Sequence, residues 1–199
     1  MLQKLPRYFV LFLSMAVVAM AFPAEAKKPK DPDELFNPLL GPDYSHWLVG
    51  PLVEMATEGE VEDFLLLASD EDAEAFVDRF WEARNAGTKV FTKTPQQIFE
   101  ARAEDADKRF SEGTYPGSRT DRGTILVLFG EPDTIEFESP RKVDDPPLEV
   151  WRYKTREKGL HGKKPKKQYR FVDLGRQVVR YTGQTLPPDF RQRLKRRRF

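Results

Sequence analysis

Few side chains in this chain are placed to do covalent chemistry. The chain has two histidines, His46 and His161, and neither stands in a recognisable nucleophile–base arrangement. There is no cysteine, which excludes disulfides, zinc–thiolate centres and thiol nucleophiles. No His-Glu-x-x-His pair for zinc appears. Asp70-Glu71-Asp72 and Glu104-Asp105-x-Asp107 are acidic enough for a weak cation site, although the first lies where carboxylates stabilise a helix N-terminus anyway. Gly130-Glu131-Pro132-Asp133 reads as a turn, because a phosphate loop needs more glycine and a following helix. A hydrolase could be reached only through Asp121 acting with His161. The expectation is a protein with no catalytic residue, no metal and no cofactor.

Two kinds of segment remain as binding candidates. Thr120, Asp121 and Arg122, ahead of Gly123, could be presented on a loop to a partner. The competing reading is a turn in which Asp121 bonds the backbone entering a strand and Arg122 pairs an acid; turn chemistry accounts for every residue and is preferred. The second kind is basic: Lys163, Lys164, Lys166 and Lys167 in one run, and Arg191, Arg193, Lys195, Arg196, Arg197 and Arg198 in another. Such runs suit nucleic acid or anionic lipid, each near-surface cation adding about 1 kcal/mol at a membrane. Trp81, Trp151, Tyr153 and Tyr169 could stack a sugar or base, but their spacing on a helix and strands fits a core better.

The N-terminus decides between those partners. Lys4 and Arg7, the apolar run Tyr8–Ala21 and the small-residue site Ala24-Glu25-Ala26 form a secretory signal peptide cleaved after Ala26. The run is shorter than the ~20 residues of a spanning helix. Without cysteine there is no lipoprotein site. Nucleic acid is therefore not expected as a partner, and the protein is expected in the periplasm or secreted. Charge is polarised along the mature chain: residues 27–151 hold 14 Lys and Arg against 28 Asp and Glu, and residues 152–199 hold 17 against 3. The division is signal peptide 1–26, flexible leader 27–43, one domain 44–183 and basic tail 184–199.

Within the domain, three capped helices come first. They start at Thr57-x-x-Glu60, at Ser69-Asp70-Glu71-Asp72 and at Thr94-Pro95-x-Gln97. Ala73, Phe76, Val77, Phe80, Trp81 and Arg84 give the clearest helical period. A polar turn at 117–123 then leads into the apolar run Thr124–Phe129, expected to be a buried strand. Ile135–Glu138 alternates and should be a half-buried strand. Leu148–Tyr153, Tyr169–Asp173 and Val178–Tyr181 complete the strands, the last two joined by a hairpin. Helices first and strands after predict an α+β two-layer domain, helices packed on a mainly antiparallel sheet of four to five strands.

The stretch Gly117–Pro132 resembles the GWxTD-domain family of bacterial secreted proteins. Phe80-Trp81-x-x-Arg84, the Phe99–Phe110 helix, Val150-Trp151-Arg152-Tyr153 and Tyr169–Asp173 resemble further family elements in the same order. Thr120, Asp121, Arg122 and Gly123 match the signature, whereas its tryptophan is Ser118 here and the usual Asp-Pro after Arg84 is Asn85-Ala86. The resemblance implies export, a bacterial source and this order of elements; it carries no activity. The expected function is a non-catalytic envelope protein that contacts another envelope protein. The alternative is a module that binds a polyanion or anionic membrane through the loop 154–168 and the tail 191–198.

Overall fold

Capping chemistry sets the helices. The structure, a computed structural model, describes residues 31–89, 92–139, 147–154, 157–175 and 177–180. A short α1 (Pro51–Met55) starts on a proline. Helix α2 (Glu58–Leu65) opens with a reciprocal box, in which Thr57 accepts from the Glu60 amide and the Glu60 carboxylate from the Thr57 amide. Ser69 accepts from the Asp72 amide and opens α3 (Asp70–Asn85). Thr94 and Gln97 repeat the reciprocal box at α4 (Pro95–Phe110). All three expected starts are therefore present.

The run 124–129 is not a strand. It forms α5 (Asp121–Phe129), which follows a single 3-10 turn at Gly117–Arg119. Ile125, Leu126, Val127 and Leu128 are all buried, so this run has no polar face to give it a readable period. A fully apolar run of this length fits a buried strand or a buried helix equally well. Thr120 decides the outcome, because its hydroxyl accepts from the Gly123 amide as a helix cap.

Four antiparallel strands follow in a meander: β1 (Thr134–Glu138), β2 (Leu148–Arg152), β3 (Gln168–Asp173) and β4 (Val178–Arg180), in that spatial order. The fold is thus α+β, with helices then sheet, as the order of elements implied. β1 departs from expectation: Ile135 and Phe137 are 42% and 74% exposed. They share a sheet face with Trp151, their register partners being Trp151 and Glu149, but the helical layer does not reach the edge where they stand.

Two apolar cores meet at α5. One gathers α1, α2 and α3 around Leu48, Phe64, Phe76 and Phe80; the other joins α4 and α5 to the sheet through Phe110, Trp151 and Phe171. Leu128 belongs to the first and Val127 to the second. Residues 31–43, expected as an exposed leader, also enter the first core through Leu35 and Leu40. Asn37, also buried, donates to the carbonyls of Phe64 and Leu67 and so satisfies the end of α2.

Arg84 locks the helical layer. Its guanidinium grips both oxygens of Glu60 at 2.9 and 2.8 Å and donates to the Phe80 and Met55 carbonyls. It also lies 3.3 Å from the centre of the Phe80 ring. Arg84, chiefly through these hydrogen bonds, holds the Glu60 carboxyl down at about 2, against the opposing effect of burial.

Candidate functional site

Gly117, Thr120 and Gly123 of the Gly117–Gly123 stretch are buried, and each has a mechanical role. Gly117 lies so close to the end of α4 that a Cβ there would come within 2.1 Å of the Ala106 carbonyl oxygen. A Cβ on Gly123 would come within 1.8 Å of the Gly117 carbonyl oxygen. No side chain fits at either position. The amide of Gly117 donates to Ser111 Oγ and that of Ser118 to Asp107 Oδ1, which ties the turn to α4. Thr120 is buried; its hydroxyl donates to the Gly117 carbonyl at 2.7 Å while capping α5. It therefore cannot be the loop-borne contact that the binding reading required.

Asp121 and Arg122 reach outward from α5 to the sheet. Asp121 Oδ2 accepts from the backbone amide of Arg180 at 2.6 Å, and Glu112 Oε1 accepts from that of Val178 at 2.7 Å. Two carboxylates thereby occupy alternate donors along β4. Arg122 pairs with Glu149 at 3.1 Å and stacks over Phe110, and Glu149 in turn accepts from the Trp151 indole at 2.7 Å. Arg122 does pair an acid, as the turn reading expected; Asp121 does bond backbone, although on β4 and not on the segment that follows it.

The far end of α5 is held as firmly. Arg102 donates to the Val127 carbonyl, the Leu160 amide to the Leu128 carbonyl, and Tyr153 Oη to the Gly130 carbonyl. Gly130 takes a φ of 81°, and any Cβ there would meet the Arg102 guanidinium at 2.8 Å. Burial, ahead of its charged neighbours, pushes the Tyr153 phenol well above its usual range. His161 packs edge-on against Phe129 at this end, whereas Asp121 is the first residue of the helix. A nine-residue helix is about 13 Å long, so Asp121 and His161, the pair a hydrolase reading required, are not brought together.

Three surfaces among the described residues bear on the binding candidates. Beside the start of α5 runs a groove of about 670 Å³, walled by Val53 and Glu54, by Tyr115 and Arg119, and by β4. Two of its three acids, Glu112 and Asp121, are already committed to β4 amides. The second surface is the loop before β3. Gly159 is seated against the Leu128 carbonyl, Pro165 is buried and Tyr169 Oη accepts from the Lys166 amide, while Lys163, Lys164, Lys166 and Lys167 are exposed. The six cations Arg191 to Arg198 of the tail lie outside the described residues. The third surface is β1, with Ile135 and Phe137. No group of residues able to hold a metal ion is found among those described, and none of their helices is long and apolar enough to cross a membrane. Sequence reasoning puts Arg102 on the buried face of its helix but misses its bond to α5; it misses Glu112 and Glu149, which carry no local pattern, and the exposure of β1.

A model of the GWxTD domain matches residues 42–178. No curated protein and no solved structure matches the chain.

Proposed function

The chain belongs to the GWxTD family, and on that premise we propose that it is an exported, non-catalytic envelope protein whose work is protein contact. The observation that supports this reading is the division of labour within the fold. Signature residues Gly117, Thr120, Asp121 and Gly123 are taken up in packing, capping and anchoring β4. Large apolar side chains are meanwhile left in water on the edge strand β1. Open strand edges bearing apolar side chains are sites where other chains add. The charged start, apolar run and small-residue site of residues 1–26 support a contact in the periplasm or outside the cell. Cross-linked capture from the native envelope fraction tests the reading: capture by the full chain should be lost in Phe137→Glu. Equal capture by both would refute β1 as the contact surface.

A second reading rests on the four lysines of the anchored loop. They form a cationic surface suited to anionic lipid or another polyanion, to which the tail 184–199 would add charge. Co-sedimentation with anionic vesicles, for the full chain and for a chain ending at 183, separates the two. Salt-sensitive binding that the truncation weakens favours the polyanion reading; no binding at low salt removes it.

A further inference from the structure

We propose that the occupant of the β1 edge is a second copy of this chain, paired antiparallel about a two-fold axis through Glu136. This inference rests on the protein-contact reading and names the partner. Three features of the strand lead to it. The first is the direction of its hydrogen bonds. Tyr153 N donates to Lys167 O in register, so the odd positions of β2 bond to β3 and the even ones to β1. Opposite those even positions stand Thr134, Glu136 and Glu138, which leaves the backbone groups of Ile135 and Phe137 directed outward. Two copies centred on Glu136 would set Ile135 of one strand against Phe137 of the other, twice. Each match is a hydrogen-bonded pair, giving four new backbone bonds. Each also brings an aromatic against a β-branched side chain, a favourable cross-strand combination.

Charge is the second feature. β1 carries Glu136 and Glu138, which would ordinarily demand a basic partner strand. Here Arg152 pairs Glu136 at 3.0 Å, and Arg170 pairs Glu138 at 3.2 Å. Among the described residues two carboxylates and two guanidinium groups make a neutral set, which offsets the like charge of Glu136 facing its own copy.

The third feature is the opposite edge of the sheet. On β4 the amides of Val178 and Arg180 are occupied by Glu112 and Asp121. Of the two edges of the described sheet, β1 is therefore the one left to edge-to-edge growth, and an isologous contact at one edge closes on itself as a dimer without extending into a fibre. Two five-residue strands bury less than the ~1,200 Å² at the low end of stable interfaces, so the dimer belongs to the weak, concentration-dependent class.

The cysteine-free chain is a clean background for the test. At the two-fold axis the Glu136 Cα atoms would face each other at about 4.5 Å, within disulfide reach. Thr134 Cα atoms of the two copies would lie about 13 Å apart. Glu136→Cys is expected to form a disulfide-linked dimer under mild oxidation, and Thr134→Cys is not. Sedimentation equilibrium of the exported full chain from 5 to 500 μM should show dimer, with Phe137→Glu weakening association at least tenfold while circular dichroism stays unchanged. A wild-type chain that is monomeric at every concentration, or equal cross-linking at 134 and 136, would overturn the proposal. Monomer combined with Phe137-dependent capture of another envelope protein would overturn the dimer and leave the protein-contact reading standing. Loss of both would end that reading too.

Discussion

Replacing Arg84 by methionine removes the clamp between α1, α2 and α3 while keeping most of the side chain's apolar bulk. The magnitude follows from Glu60. Its carboxyl is held at about 2 against an ordinary 4.5, a difference worth ~3 kcal/mol if fully expressed. The Glu60 side chain is a quarter exposed, so solvent screening reduces the expected coupling to ~1–2 kcal/mol. Arg84→Met also leaves the Phe80 and Met55 carbonyls without this donor, which raises the total cost to about 2–4 kcal/mol. The pH dependence has a definite sign. Because the folded-state pKa is depressed, the stabilisation is complete above about pH 4.5 and is lost as the pH falls towards 2. Urea unfolding at pH 7 and pH 3, for wild type, Arg84→Met, Glu60→Gln and the double variant, reads both quantities. The wild type should lose ~1–2 kcal/mol more than Arg84→Met over that pH interval. A double-mutant coupling below about 0.5 kcal/mol would refute the clamp as an energetic feature and leave it a geometric one.

Three further perturbations probe the joint at the start of α5. Thr120→Ala removes the cap on Gly123 and the bond to the Gly117 carbonyl, and should cost ~1–2 kcal/mol in urea unfolding. Gly123→Ala should cost about 3 kcal/mol or abolish folding, since its Cβ would overlap backbone, whereas Gly59→Ala, facing open space, should stabilise by ~0.5 kcal/mol. Asp121→Asn weakens the acceptor for the Arg180 amide, and hydrogen exchange there should accelerate about tenfold while β2 amides keep their protection.

Much of the architecture was legible because it is written in local chemistry. Thr57, Ser69 and Thr94 are followed at the right spacing by residues that complete a cap, and the 3.6-residue period of α3 is unbroken from Ala73 to Arg84. The Leu174–Gln177 turn likewise closes as a hairpin, with the Leu174 amide donating to the Gln177 carbonyl. The nature of α5 was hidden for a tertiary reason: its run 125–128 lies buried between two cores, so its pattern matches a buried strand. Thr120-Asp121-x-Gly123 was the available sign, a cap residue followed by an acid in the first turn. At β1 the alternation Ile135-Glu136-Phe137-Glu138 marks a strand, and a strand is what forms. Burial depends on whether a helix covers that edge, and no local residue records it. Asp121 and Arg122 have partners 59 and 27 residues away, beyond the reach of any short motif.

The claim that matters most is that the Thr120–Gly123 joint builds the body while β1 makes its contacts. Cross-linked capture from the envelope fraction tests it most directly, comparing wild type, Thr120→Ala and Phe137→Glu at a temperature where all three are folded. The account predicts that Thr120→Ala captures the wild-type set of contacts, own copies included, and that Phe137→Glu does not. Loss of capture in folded Thr120→Ala, with full capture by Phe137→Glu, would contradict it.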